Sequence, residues 1–570
     1  MNKYAVLHIP MSQYAYGVDD THVTFRLRAA KDDLQSVTLI YGDRSCRRTP
    51  VDYFECGMER VVFDPLFDWW EVTLETTIKR LCYAFRLKDA NGQETLYYAD
   101  QFHDALTDER SAYYQLPYNH RADRVQVPDW ICDAIVYNIF PDSFATGKRW
   151  ISLKPTETTR QGQAVRGKLG GTIRGIMENL DYIRDLGFTC IYLNPIFAAG
   201  EYHKYDLIDY YHIDPAFGTD EEFNALVEHA HAMGLRVMID GVFNHCGWRF
   251  FAFRDVIEKG KQSKYWDWFF RLEEPVVVPD NMEDYPAYEC FGYERMMPKL
   301  ALDNPEVQKY FCDVGTYWVK EYDIDGWRLD VASEINDGFW RLFRQAIKSV
   351  KSDCALVGEV WESAGHWLDG TMFDSAMNYD FRKHCRAFFA EGTADAERFN
   401  AGVTDMLMRY RANTAAAQMN LLDSHDVSRF LSLCDGDLRK MKLALLFQMT
   451  YIGMPTVFYG DEQGITGILE DEYRRPMIWD RQESELSAFY QKVIALRKEN
   501  AALRTGGYRC IEAKGRLYHY ARSFQETSIH VFLNAGDTPL RIMPPSTEMI
   551  WQEGLDCDML SPYGFAVYSV

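Results

Sequence analysis

The sequence has no CxxC pair among its 13 cysteines, and their odd number and scatter argue against a zinc site or a disulfide framework. Reduced thiols in a cytoplasm are the expectation that follows. No run approaches the ~18 apolar residues a membrane-spanning helix needs. The first twenty residues, MNKYAVLHIPMSQYAYGVDD, lack both a sustained apolar stretch and a small-residue cleavage site, so no secretory signal is expected. Basic side chains are outnumbered, 62 against 84 acidic ones, and the formal charge of −22 would repel polyphosphate backbones and anionic lipid. Nucleic acid and membranes are therefore excluded as expected partners. There is also no internal repeat, low-complexity tract or charged tail.

What is present fits a folded chain. The 47% hydrophobic and 26% charged shares lie near ordinary globular values, and 570 residues exceed what one core usually serves, so more than one domain is expected. Aromatic side chains make up 15% of the chain. Most of them will be core, yet an acidic, ring-rich surface suits a neutral polyhydroxylated ligand.

Residues 1–125 read as a β-sandwich: Val23, Phe25 and Leu27 alternate with Thr24, Arg26 and Arg28, and Tyr83, Phe85 and Leu87 lead into a turn at Asn91-Gly92. From 126 to 503 apolar runs alternate with amphipathic stretches. The runs are AIVYNIF (134–140), FTCIYLN (188–194), LRVMIDGVFNH (235–245), IDGWRLD (324–330), ALVGEV (355–360), MFDSAMNY (372–379), QMNLLDSHD (418–426) and PTVFYG (455–460). Eight buried strands separated by helices predict an α/β fold, a (β/α)8 barrel. The stretches IRGIMENLDYIRDLG (173–187) and EEFNALVEHAHAMG (221–234) are two of the expected helices, each ending at glycine. The connection at 246–300 is too long for a simple loop and is expected to be an inserted domain shaping a cleft. Residues 504–570 return to short strands and predict a C-terminal β domain.

Four of the barrel strands end in ionisable groups: Asp240, Asn244 and His245; Arg328 and Asp330; Glu359; His425 and Asp426. Any one of them could be an ordinary solvated loop residue. Their joint occurrence on strands three, four, five and seven points to one site, because barrel strand ends converge on a single face. Arg328 and Asp330 are two apart, so their side chains share a side of the strand and the guanidinium can hold the carboxylate ionised. Two neighbouring carboxyls, one attacking and one donating a proton, suit a retaining glycosidase, for which they should stand about 5–5.5 Å apart. The bland alternative for the pair is a structural salt bridge.

These residues carry a resemblance. DGVFNH (240–245), GWRLDVASE (326–334), GEVWE (358–362) and LLDSHD (421–426) resemble, in order and spacing, the four signature regions of the α-amylase superfamily. MMPKL (296–300) is similar to the MPKLN motif of its neopullulanase, cyclomaltodextrinase and maltogenic-amylase subfamily, as are YHKYDLIDYYHIDPAFG (202–218), YGDE (459–462) and RRPMIWD (474–480). The resemblance implies Asp330 as nucleophile, Glu359 as acid/base and Asp426 as the carboxylate that distorts and stabilises the sugar. Arg328 would orient Asp330, with Asp240 supporting Arg328. His245 and His425 would bond sugar hydroxyls, Tyr205 would stack on the ring with His203 nearby, and Trp361 would line the acceptor side. It further implies a maltodextrin or cyclodextrin substrate, some action on pullulan, and a homodimer formed through the N-terminal domain.

The chain also departs from the pattern. Relatives carry a calcium site in segments like FANGD and GGD, where this sequence reads FATGK (144–148) and GGT (170–172). Calcium needs about six to eight oxygens, and Thr146, Lys148 and Thr172 are poor replacements, so no metal and no other cofactor is expected, with the Lys148 ammonium in the cation's role. Ala301 after MPKL, and Glu362 where neopullulanases often have His, border the cleft and leave the preferred substrate open. Two other readings stand beside hydrolysis: a transglycosylase or α-glucosidase acting on small sugars, and a non-catalytic glucan-binding protein. The sequence mark of the last would be loss of Asp330, Glu359 or Asp426, and all three are present.

Overall fold

Eight short strands, buried over almost their whole length, close into a parallel barrel in chain order: β1 (Val136–Ile139), β2 (Cys190–Leu193), β3 (Arg236–Gly241), β4 (Gly326–Leu329), β5 (Ala355–Gly358), β6 (Ser375–Asn378), β7 (Met419–Leu421) and β8 (Met454–Phe458). β8 pairs back with β1, Val136 beside Thr456, so no strand edge is left open. In this computed structural model all residues are described except 50, 153–168, 280, 282–283, 480–483 and 546; Asp480 of the RRPMIWD stretch is thus outside the described residues. The barrel interior is packed by Val136, Tyr192, Met238, Val357, Met377 and Met419, which makes it a core rather than a channel.

The expected helix at 221–234 spans Asp220–Ala232, begun by a capping box in which Thr219 and Glu222 satisfy each other's backbone N–H. The stretch 173–187 forms two helices instead of one, Ile173–Glu178 and Leu180–Leu186. Asn179 interrupts it because its side chain serves other backbone groups: Nδ2 donates to Gly147 O and Gly175 O, and Oδ1 accepts from the Arg149 N–H. After β3 the long connection carries the helix Phe251–Lys259 and a hairpin of Cys290–Phe291 with Glu294–Pro298. An isolated bridge between His245 and Lys299 ties the hairpin's exit to the end of β3.

Residues 127–391 and 416–505 make one compact unit, which holds the barrel. The second unit comprises 1–126, 392–415 and 506–570. Within it, antiparallel strands including His22–Ala30, Leu34–Asp43, Phe67–Glu75 and Leu81–Asp89 fold over a core of Phe25, Leu27, Leu39, Tyr83 and Phe85, and the C-terminal stretch forms a six-stranded sheet. Residues 392–415, inside the stretch the sequence gives to the barrel, belong to this second unit, where Asn400 Nδ2 and Thr404 Oγ1 both donate to Phe63 O. Among the described residues no helix is long and apolar enough to cross a membrane.

Candidate active site

β4 places Arg328 with no exposed surface inside the barrel mouth, and four carboxylates from four strand ends surround its guanidinium. Nη1 lies 3.0 Å from Asp240 Oδ1 (β3) and 2.8 Å from Asp330 Oδ1 (after β4). Nη2 lies 2.8 Å from Glu359 Oε1 (after β5) and 3.8 Å from Asp426 Oδ2 (after β7), while Nε meets Met377 Sδ at 3.3 Å. Asp330 and Glu359 therefore share one guanidinium, so two 2.8 Å contacts and the width of the fork bound their separation. Glycine at 358 is required for this geometry, since a Cβ there would come within 2.6 Å of the Phe373 ring.

Four buried carboxylates cannot all stay ionised beside one cation. Burial and the charge of Glu359 push Asp330 upward against the pull of Arg328, and burial raises Asp240. Asp426 is pushed up to about 7 by burial and by Glu359, with Arg328 and Arg474 opposing. The sequence alone suggests that Arg328 dominates at Asp330; with three further acids drawing on the same guanidinium, it does not. The cluster keeps a proton in the neutral range and shares it, so one carboxyl can act as an acid while another attacks.

Two of the site's histidines, His245 and His425, are disfavoured as cations. Burial, aided by the Lys299 ammonium, pushes His245 down to about 3, and burial together with Arg328 and Arg474 holds His425 well below the usual histidine range. His425 is fully buried: Asn194 Nδ2 lies 2.9 Å from Nδ1, and Nε2 faces Asp426 Oδ2 at 3.1 Å and the Tyr205 hydroxyl. It thus acts beneath the cleft, on Asp426 and Tyr205. His245 lies against Phe291, its Nε2 3.2 Å from Tyr205 O. Tyr205 also donates to Asp240 Oδ2 at 3.1 Å. The loop bearing His203 and Tyr205 is anchored by Lys204, whose buried ammonium pairs with Asp214 at 2.8 Å.

A cleft of about 520 Å³ opens over this cluster, lined by His203, Tyr205, His245, Asp330, Glu359, Trp361 and Asp426. Of the site candidates taken from the sequence, Asp240, Asn244, Arg328 and His425 have no exposed surface and do not line it, whereas the seven just named do. Trp361 stacks on Tyr379 at 3.9 Å, donates to Glu359 Oε1 at 3.2 Å, and leaves 51% of its surface exposed. The insertion supplies Phe291, Glu294 and Met297 as one wall. Trp268 and Tyr288 of the same insertion are buried and Tyr293 is exposed, none of them in the cleft.

Sequence reasoning assigns no role to Arg474, although its motif is recognisable. Its Nε donates to His425 O at 2.8 Å, Nη1 to Glu470 at 2.6 Å, and Nη2 stands 3.8 Å from Asp426. Lys299 is likewise only part of a motif in the sequence; in the structure it bonds Asn244 and pairs with Glu334 at 3.1 Å. At the loop after β1, Lys148 Nζ pairs with Asp181 Oδ2 at 2.6 Å, Thr146 Oγ1 donates to Gly170 O, and Thr172 caps the helix that follows. Three donors of this kind do not make an oxygen cage for a divalent cation. No group of three or more metal-ligating side chains occurs among the described residues.

Known proteins resemble this chain along its whole length. The family model described as "Alpha amylase, catalytic domain" matches residues 138–484, and "Alpha amylase, N-terminal ig-like domain" matches 1–120. A cyclomaltodextrinase of Geobacillus thermopakistaniensis (strain MAS1) is 39% identical over 100% of both chains. Neopullulanase 2 of Thermoactinomyces vulgaris is 40% identical over 97% of this chain and 94% of its own. A solved cyclomaltodextrinase structure superposes with a TM-score of 0.90 at 36% identity, covering 100% of both chains.

Proposed function

This chain belongs to the α-amylase family, and from that membership we propose that it cleaves α-glucosidic bonds of cyclodextrins and maltooligosaccharides, with some action on pullulan, by a retaining double displacement at Asp330 and Glu359. It is a glycoside hydrolase with the cyclomaltodextrinase and neopullulanase type of fold. The observation that carries the mechanism is the single buried guanidinium of Arg328 gripping both carboxyls. Asp330 attacks the anomeric carbon as the glycosidic C–O bond breaks, and Glu359 gives a proton to the leaving oxygen. Water then gives a proton to the Glu359 carboxylate and displaces Asp330, restoring both groups. Asp426, held by His425 and flanked by Arg474, bonds the hydroxyls of the distorted sugar, and Tyr205 with His203 and His245 frames the ring.

The loop after β1 supports a protein that works without calcium, since the Lys148 ammonium already pairs with Asp181. A cytoplasmic location is supported by thirteen free thiols, most of them buried. A homodimer through the N-terminal domain is supported by the exposed Tyr4, Ile9, Met11 and Val18; a monomer in sedimentation at micromolar concentration would sink it. Trp361, half exposed beside Glu359, favours transglycosylation as a second activity, because its indole offers a platform for a sugar acceptor.

The test is a panel of cyclodextrin, maltotriose, pullulan and soluble starch with anomer-resolved product analysis, run beside Glu359→Gln. Retained configuration and a loss of about 10³-fold or more in the variant are expected. Wild-type turnover by Glu359→Gln on every glycoside would overturn the assignment.

A further inference from the structure

The residue directly after the proposed nucleophile adopts a conformation its side chain disfavours. Val331 has φ 46° and ψ 43°, and among the described residues it is the only β-branched one at positive φ. A branched Cβ collides with its own backbone in the left-handed region, so such a conformation persists only where the surroundings enforce it. Its consequence is visible in two consecutive backbone donors. The Val331 N–H donates to Glu359 Oε2 at 2.8 Å, and the Ala332 N–H donates to Glu359 O at 3.2 Å. The left-handed residue bends the chain so that the Val331 amide meets the side-chain carboxyl of Glu359 while the Ala332 amide meets its backbone carbonyl. Glu359 Oε1 is occupied separately, by Arg328 Nη2 at 2.8 Å and the Trp361 indole at 3.2 Å.

We propose that the Val331 N–H is a positioning group that straps the carboxyl of Glu359 to the backbone of the nucleophile, and that the strained turn exists to aim it. The inference rests on the reading of Asp330 and Glu359 as nucleophile and acid/base. Because Val331 N belongs to the peptide that begins at the Asp330 carbonyl carbon, the strap ties the Glu359 carboxyl to a rigid planar unit of the nucleophile's own backbone. It fixes the plane of the Glu359 carboxyl, which proton delivery to the leaving oxygen requires.

The test replaces the Val331 amide by a backbone ester, which removes the N–H and keeps the isopropyl group. kcat/KM is read on maltotriose, whose leaving group needs a proton, and on α-maltosyl fluoride, whose leaving group does not. A loss of about ten- to a hundredfold on maltotriose is expected, the scale of one charge-assisted hydrogen bond, with α-maltosyl fluoride within about threefold of wild type. Equal loss on both substrates, or none on either, overturns the strap. Val331→Gly accepts the left-handed conformation and keeps the N–H, so its ratio of the two constants stays near wild type; a selective loss like that of the ester overturns the proposal. Glu359→Gln runs alongside: if it keeps turnover on maltotriose, the parent reading falls, whereas its selective loss beside an unaffected ester removes the strap alone. Single-residue hydrogen exchange supplies a readout that needs no ester. The Val331 amide is expected to exchange at least about tenfold faster in Glu359→Ala than in wild type, and equal rates overturn the strap.

Discussion

At the scale of single residues, the site holds its chemistry at the expense of stability. Asp426 is pushed up to about 7, well above the ordinary aspartate value near 3.9, chiefly because burial disfavours its charge. A carboxyl raised on folding stabilises the native state fully only below its unfolded value, and that contribution is lost as pH rises towards the folded one. Asp426→Asn removes the ionisable group, so the variant is expected to melt above wild type at pH 8. The gain should shrink as pH falls from about 7 to about 4, and turnover should drop by about a hundredfold or more. Melting curves across that range check it, and a variant less stable than wild type at pH 8 would show that Arg328 and Arg474 outweigh burial. Arg328 is the reason the cluster survives at all: a lysine could not meet four acids at once, because only the planar fork presents nitrogens in several directions.

At the scale of elements, the loop after β1 sets a side-chain ammonium against a helix-borne carboxylate. Lys148 reaches from that loop to Asp181 at the start of the helix Leu180–Leu186, and Arg149 adds a second positive group 3.8 Å from the same oxygen. Chelator is therefore expected to leave the melting temperature unchanged. Lys148→Asp, which sets two carboxylates against each other, should melt several degrees lower and regain part of the loss in millimolar calcium. Loss of wild-type stability in chelator would rule the ammonium out. The same elements show what the sequence could and could not tell. The eight strands were legible because buried parallel strands read as continuous apolar runs, and Asp240, Asp330, Glu359 and Asp426 because each lies within a few residues of the C-terminal end of such a strand. Arg474 and Lys299 were not, since their partners Asp426 and Glu334 lie 48 and 35 residues away and only loop geometry joins them. The helix break at Asn179 is hidden for a related reason: a mid-helix asparagine gives no sign of which backbone groups will claim it.

At the scale of the whole chain, alternation along a strand predicts which face is covered but not what covers it. Thr24 and Arg26 stand on the polar side of the strand His22–Ala30, yet both are buried, because segments remote in sequence assemble into one unit. Arg26 carries much of that assembly. Its Nε pairs with Glu71 at 2.5 Å, and Nη1 donates to Tyr410 O at 2.6 Å and more weakly to Gln13 O at 3.4 Å. Tyr16 accepts from the Ala412 N–H, Asn413 donates to Val125 O, and Tyr518 donates to Asn400, so the residues 392–415 are stitched to both the first and the last stretch of chain. Arg26→Met would leave a carbonyl without its donor and Glu71 without its partner, at a cost of about 2–4 kcal/mol. Glu71, Tyr410 and Gln13 all lie within the unit formed by 1–126, 392–415 and 506–570, while Asp330 and Glu359 belong to the other. The variant should therefore melt several degrees below wild type yet keep kcat on maltotriose at 25 °C within about twofold. An unchanged melting temperature would deny Arg26 its role, and a fall in kcat with no change in melting would mean that the two units are coupled through this residue in catalysis.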